Sequence, residues 1–370
     1  DRGGSGYHIQ RSPEEYDQLV WWMTHAALAM GVSKIQSWCW ADDPDRIFPW
    51  GLCYNNPLRP KPALELWRRL HRVVEAVPLE YTPASTVLVM PDSWRLGAPE
   101  DFAHNTLMNA HECLLAVNTP YDTVNEADLE RLLENPPRWV ILPMAYALPD
   151  TAINKIEALA EAGSRLYLSG DPAIGSDGLR HADRLQRLCG VRFESEEISP
   201  TGPPVPAVRA IEAARVENPC GVPLYRREAG KGVIFWTPEP WETLSGKDIF
   251  LGDPGFTTDP EKNLYLTLAS LAGGAPAAEV KAEKGVWRVM VTPAGDRRLI
   301  TLFPRAAMDS PIAVSVHGEG FEVGFECTKA WPAMVLLDSE NQPLMATGTG
   351  PVTVNGQRIA VESGLWVKEE

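Results

Sequence analysis

Asp150-Thr151-Ala152-Ile153-Asn154-Lys155-Ile156-Glu157-Ala158-Leu159-Ala160-Glu161-Ala162-Gly163-Ser164-Arg165-Leu166-Tyr167-Leu168-Ser169-Gly170 is the stretch that decides the fold. Asp150 to Ala162 has the length and apolar spacing of a helix, and Arg165 to Ser169 is a short apolar run that suits a buried strand. The same alternation extends in both directions. Strands are expected at Thr86–Met90, Trp139–Pro143 and Gly232–Thr237, with helices at Glu100–Val117, Glu126–Glu134 and Leu179–Leu188. Strands alternating with helices of this length give a doubly wound parallel sheet. Prolines 200, 203, 204, 206, 219 and 223 make Pro200–Pro223 irregular or edge structure. A last helix, Pro260–Leu271, stops at Gly273-Gly274, so this domain is placed at residues 78–274.

Upstream, residues 1–77 read loop, helix, strand, loop, helix. Ser12-Pro13-Glu14-Glu15 is a capping box with proline at the first helical position. Tyr16, Leu19, Val20, Met23, Ala27 and Met30 follow at helical spacing until Gly31. Val32 to Trp40 suits a buried strand, and Pro62 opens a helix with Leu66, Leu70, Val73 and Val74 on one face. One strand cannot make a sheet, so this segment reads as the end of something larger. Its apolar stripes need cover, which we expect from the second segment unless the stretch is poorly ordered. Downstream, residues 275–370 change period: Val286–Thr292, Arg298–Phe303, Ile312–Val316, Met334–Leu337 and Val352–Val354 are short runs broken by turn residues. That pattern predicts an antiparallel β-sandwich, with Ala294-Gly295-Asp296 as a hairpin turn.

The 370 residues are 44% apolar and 22% charged, ordinary globular composition, with room for two to four domains. A net charge of −15 argues against nucleic-acid backbone or an anionic membrane as a partner of the bulk surface. No apolar run approaches the ~18 residues of a membrane span, and none reads as a basic-then-apolar leader; the expected compartment is the cytoplasm. Asp1, rather than methionine, opens the chain, and we expect the gene product to begin upstream.

The six cysteines lie far apart with no CxxC, so they are read as buried thiols, and neither a metal nor a cofactor is expected. Thirteen tryptophans include Trp21, Trp22, Trp38, Trp40 and Trp50 near the start. An indole can cover the C–H face of a sugar ring. For Trp21 and Trp22 core packing is the better reading, as it is for Trp287, Trp331 and Trp366. Asp42, Asp43 and Asp45 show no spacing that makes a catalytic pair and read as loop caps or solvated charges. His8 is either a rim contact to substrate or an ordinary loop histidine. Glutamine amidotransfer needs an activated cysteine on a strand-to-helix turn. The turn Gly170-Asp171-Pro172-Ala173 has no thiol, Thr237-Pro238-Glu239-Pro240 has no histidine, and Cys113 falls on the core pattern of its helix.

Ile35-Gln36-Ser37-Trp38-Cys39-Trp40-Ala41-Asp42, Trp50-Gly51-Leu52 and Arg59-Pro60-Lys61-Pro62-Ala63-Leu64 together resemble the last strand, loop and helix of (β/α)8-barrel glycoside hydrolases with two catalytic glutamates. Trp40 matches the tryptophan that floors the sugar site in that clan. Asp1-Arg2-Gly3-Gly4-Ser5-Gly6-Tyr7-His8 is similar to the loop after the seventh strand. Farther on, Tyr121-Asp122-Thr123-Val124-Asn125, Arg138–Pro143, Leu148-Pro149-Asp150, Glu161 to Gly170 and Leu188-Cys189-Gly190-Val191 come in an order that resembles the amidotransferase-like trimerisation domain of family-42 β-galactosidases. Ser164 replaces that family's second glycine. The third segment is similar to the β-domain that closes the same chains.

The resemblance implies a partial (β/α)8-barrel remnant, a flavodoxin- or amidotransferase-like parallel sheet, and a C-terminal β-sandwich. It implies a parent enzyme that hydrolyses β-glycosidic bonds through two carboxyl groups ~5–5.5 Å apart. In the clan these end the fourth and seventh strands, so both lie upstream of Asp1 and no catalytic residue is assigned here. This chain is expected to supply Trp40, Trp38, Trp50 and His8 to a carbohydrate site and to form a homo-oligomer, a trimer by the resemblance. The barrel phrase departs from family 42, whose last strand ends in an arginine-containing aromatic motif, and is nearer mannanase- and cellulase-type members. A non-catalytic assembly or carbohydrate-binding protein is the alternative.

Overall fold

A computed structural model describes residues 12–36, 39–43, 51–77, 83–90, 92, 100–197, 205–243, 259–271, 278–282, 288–304 and 311–368. The chain divides into two compact units, Pro83–Pro276 and a discontinuous one made of Asp1–Thr82 with Ala277–Glu370.

The discontinuous unit begins with α1 (Pro13–Ala29), whose capping box forms as its sequence dictates: Ser12 Oγ accepts from Glu15 N, and the Glu15 carboxylate accepts from Ser12 N. Val32–Gln36, expected as the start of a strand, pairs with nothing among the described residues and stays outside any sheet. Farther on, Ala41 forms a bridge to Cys53. Cys53 belongs to a small hairpin, β1 (Cys53–Tyr54) with β2 (Arg59–Pro60), followed by α2 (Ala63–Ala76).

The continuous unit holds β3 (Thr86–Met90), α3 (Glu100–Ala116), β4 (Asp122–Asn125), α4 (Leu129–Leu132), β5 (Trp139–Leu142), α5 (Asp150–Ala162) and β6 (Arg165–Ser169). There follow α6 (Ala182–Arg184), β7 (Val191–Glu197), β8 (Val205–Ala210), β9 (Ala214–Val216), β10 (Leu224–Ala229), β11 (Gly232–Thr237) and α7 (Asp259–Leu271). Seven strands form one sheet in the order β4-β3-β5-β6-β11-β10-β9. Its first five strands are parallel and the last two antiparallel. Two of the expected helices are shorter than their sequence suggests. Glu126–Glu134 becomes a 3-10 turn, Glu126–Asp128, plus the single turn of α4, ahead of Pro136-Pro137. Leu179–Leu188 becomes α6 running into a π turn, Leu185–Cys189, closed by Gly190 in the left-handed region.

Alternate residues of each central strand feed opposite cores. Val140, Leu142, Leu166, Leu168 and Trp236 meet Ile153 and Ile156 of α5 on one face. Ile141, Tyr167 and Phe235 meet Cys113 and Leu114 of α3 and Leu264 and Leu268 of α7 on the other. This is the doubly wound arrangement that the strand–helix alternation predicts. Val191–Glu197 and Val205–Ala210 pair outside the main sheet as a two-stranded ribbon of β7 and β8, and the proline-rich stretch also carries β9 at the sheet edge.

The remaining strands are β12 (Ala278–Ala282), β13 (Arg288–Ala294), β14 (Arg297–Phe303), β15 (Ile312–Gly318), β16 (Phe321–Cys327), β17 (Ala333–Leu337), β18 (Pro343–Thr347), β19 (Val352–Val354), β20 (Gln357–Ile359) and β21 (Leu365–Val367). They form two five-stranded antiparallel sheets, β12-β15-β16-β19-β20 and β13-β14-β17-β18-β21. Ile300, Leu302, Val335, Leu337 and Ala346 face Val316, Val323 and Phe325 across the sandwich. The intervening residues Leu299, Met334, Leu336 and Met345 point the other way, onto Leu28 of α1 and Val73 and Val77. That double burial explains why β17 reads as an unbroken apolar run. The cover that we expected the second segment to give α1 and α2 therefore comes from the C-terminal sheet. Trp21 donates its indole N–H to Pro332 O at 2.9 Å, and Thr292 donates to Ala29 O at the end of α1.

Candidate functional site

Trp40 stands at the rim of a clamped loop. Gly51 N and Lys61 Nζ both donate to Asp42 Oδ1, at 3.0 and 2.5 Å, and Asn55 donates to the Asp42 carbonyl at 3.0 Å. Cys53 N donates to Trp40 O, and Cys53 O accepts from Asp42 N. Residues 40–42 are thereby locked to residues 51–61, and only glycine fits at position 51. A Cβ there would lie 2.2 Å from Ala41 C and 2.3 Å from Asp42 N. The clamp leaves the Trp40 side chain 60% exposed, an unusual state for an indole in a loop this well fixed.

Asp42 is thus a buried anchor rather than a solvated charge, its carboxylate committed to Lys61 and the Gly51 amide. Asp43 is half-buried, and Asp45 lies outside the described residues, as do Trp38, Trp50 and His8. Of the four expected sugar-site residues, Trp40 falls within the described residues. Trp21 is buried and packs on Trp331, with ring centroids 5.9 Å apart, and half-buried Trp22 packs on Phe303. Trp366 leans on the sandwich core, while Trp287 lies outside the described residues.

Beside Trp40, Ile35, Leu52, Leu64, Trp67 and Leu70 line an open groove of about 630 Å³. Lys34, Arg68, His71 and Arg72 edge it. Arg68 and His71 have carboxylates within reach on α2, Glu65 and Glu75. Among the described residues, no group of three or more histidine, cysteine or acidic side chains is placed to hold a metal ion.

A second polar cluster closes the carboxyl ends of β6 and β11 and is invisible in the sequence. Ser169 Oγ donates to Glu242 Oε2 at 2.7 Å and accepts from Met144 N at 2.8 Å. Tyr265 OH donates to Glu242 Oε1 at 2.9 Å, and Asn109 reaches the Glu242 carbonyl. Burial pushes the Glu242 carboxyl above the usual range, against the pull of its hydroxyl donors. With no solvent exposure, it ties α3, β6 and α7 together rather than meeting a substrate. Cys113 is equally buried, in the core, as its helical spacing predicts.

Comparison with known proteins rests on structure alone, since no family model and no curated protein matches the sequence. Gan42B, a GH42 β-galactosidase, superposes with a TM-score of 0.64 at 13% identity, over 90% of this chain and 52% of its own. The β-galactosidase from Rahnella sp. R3 gives 0.62 at 12%, over 90% and 53%, and that from Bacillus circulans sp. alkalophilus 0.60 at 12%, over 90% and 53%. The chain shares its fold with about half of each of these β-galactosidases. It spans about half the length of those structures, so roughly half of each family-42 chain has no counterpart here. At such identity the likeness is one of fold, and function belongs to the site.

Proposed function

We propose that this chain is the C-terminal part of a glycoside hydrolase acting on β-glycosidic bonds, with its two catalytic glutamates upstream of Asp1. The observation that carries the reading is the fold match over nine-tenths of the chain to three β-galactosidases that are about twice as long. In this reading residues 1–77 are the last units of a (β/α)8 barrel, and Trp40 is the floor on which a sugar ring stacks. The clamp supports that role: Asp42, Lys61 and Gly51 hold the backbone under Trp40 while the indole stays open to a ligand. Stacking on a pre-fixed indole costs little conformational entropy. Trp38, Trp50 and His8 join it at the rim, and the amidotransferase-like unit provides the contacts of a homotrimer.

The test is hydrolysis of aryl β-glycosides by this chain and by a protein extended upstream. Turnover only in the longer protein is the expected result. Turnover by Asp1–Glu370 alone would overturn the assignment of the carboxylates. Turnover in neither would favour a non-catalytic assembly or carbohydrate-binding role.

A further inference from the structure

At one end of the sandwich a run of side-chain hydrogen bonds ties the two sheets together. Arg298, in β14, donates through Nη1 to Glu319 O in the β15–β16 turn and to Asn341 Oδ1 in the β17–β18 turn, both at 3.0 Å. Asn355, in the β19–β20 turn, donates through Nδ2 to Asn341 O at 3.2 Å. Its Oδ1 accepts from Glu322 N at 2.9 Å, while Asn355 N donates to Glu322 O. The Asn355 amide thus extends the ladder beyond the Val323–Val354 pair and also reaches across to the other sheet. Asn355 is the one asparagine of the chain that a glycine follows. It is exposed, and a Cβ built on Gly356 would meet nothing within 4 Å. An unhindered glycine N–H is the backbone nitrogen best suited to attack the side-chain amide one residue before it.

We propose that Asn355-Gly356 is a self-modification site, with water as the co-reactant, and that the tie to Glu322 and Asn341 holds it shut. In the reaction Gly356 N bonds to Asn355 Cγ and the Cγ–Nδ2 bond breaks. The amide nitrogen leaves as ammonia, taking the proton of Gly356 N. Water then opens the cyclic imide at either carbonyl, which leaves aspartate or isoaspartate at position 355. In the folded chain both polar atoms of the amide are engaged by groups other than Gly356, and Asn355 is held in the left-handed region at a φ of 48°. Ring closure has to free the amide and turn this backbone, so the reaction runs through local opening of the hairpin. Its products untie the sheets. A carboxylate has no hydrogen to donate, so aspartate sets one acceptor against another at Asn341 O. Isoaspartate adds a backbone carbon to a two-residue turn whose geometry admits none.

The experiment incubates Asp1–Glu370 in mildly alkaline heavy-oxygen water, folded and in denaturant, and follows the peptide containing Asn355 by mass spectrometry. Solvent oxygen is expected to enter at residue 355 and not at Asn341, which precedes Gln342. The folded chain should react at least about tenfold more slowly than the unfolded one. Arg298→Ala, which frees the Asn341 turn, should raise the folded rate about fivefold and leave the unfolded rate unchanged. Circular dichroism checks the fold of that variant, and Arg298→Lys, which keeps a donor, should react at an intermediate rate. In the unfolded chain Gly356→Ala should slow the reaction, because its methyl group crowds the attacking nitrogen. Asn355→Asp copies one product and should unfold about 2–4 °C lower. No solvent oxygen at residue 355 in the unfolded chain overturns the site. Equal rates in folded and unfolded chains overturn the gate, as does a folded variant at Arg298 that reacts no faster than the original. An Asn355→Asp protein as stable as the original overturns the tie between the sheets.

Discussion

His25 shows how far one buried side chain commits the fold to a pH range. Its Nδ1 faces Trp21 O at 2.8 Å and its Nε2 faces Thr347 Oγ1 at 2.8 Å. A carbonyl only accepts, so Nδ1 carries the proton and Nε2 accepts from the threonine hydroxyl, which fixes a neutral tautomer. Burial lowers the pKa from 6.5 to about 4, only partly opposed by the bond to Trp21. The unfolded chain takes up the proton first as pH falls, so this contribution is whole above pH 6.5 and is lost on the way down to about 4. Between about pH 7.5 and about pH 5 the loss is roughly 2 kcal/mol. Urea midpoints of the native chain and of His25→Gln should therefore converge as the solution is acidified; parallel curves would refute the tautomer. Gly51 commits the fold sterically. Gly51→Ala drives a methyl into the backbone of Ala41 and Asp42 and should cost about 1–3 kcal/mol, seen as a lower unfolding temperature. Loss of the fixed Trp40 emission would accompany it, whereas an unchanged protein would mean that the clamp is not closed. The sequence singles out Trp40 by a resemblance in chain order, and the structure shows its indole exposed. The Asp42–Lys61 pair is not marked in the sequence, since no periodicity links residues 19 positions apart.

At the scale of elements, legibility follows burial on both faces. Thr86–Met90, Arg165–Ser169 and Gly232–Thr237 are strands between the ends expected, because a strand covered on both sides must be apolar throughout. Where only part of an element is buried the ends blur, as in α4 and α6. Phe321–Cys327 alternates buried and exposed side chains yet carries Gly324 and two glutamates, and its place next to β15 depends on a partner far from the local pattern. The turn between β19 and β20 is stronger. Asn355 and Gly356 have φ of 48° and 84°, the left-handed pair that a two-residue hairpin of this hand requires. A Cβ on Gly356 meets nothing within 4 Å, so Gly356→Ala tests backbone strain without a clash. We expect a loss of about 1 kcal/mol by thermal or chemical unfolding. A neutral outcome would show that the hairpin relaxes freely. The Glu242 cluster lies beyond such reading, because Asn109, Ser169 and Tyr265 meet it from segments scattered over the whole unit.

At the scale of the molecule, the two units differ in how their cores are divided along the chain. Both cores of Pro83–Pro276 are closed within that stretch, whereas Leu299, Met334, Leu336 and Met345 share a core with Leu28, Val73 and Val77 from the other end of the sequence. Trp21, Leu66 and Leu70 form a further patch with half-buried Trp331. The β13-β14-β17-β18-β21 sheet is thus a middle layer, and α1 and α2 are its outer cover. A fragment of residues 83–276 should accordingly unfold cooperatively by itself, with near-native circular dichroism. A fragment of residues 277–370 should not, because its middle layer would present those four large side chains to water. It should bind an apolar dye and self-associate, and adding residues 12–77 on a flexible linker should suppress both. A sandwich fragment that is monomeric and dye-free would mean that α1 and α2 sit on a face already stable without them. Their packing would then be a consequence of chain connection and not a condition of folding.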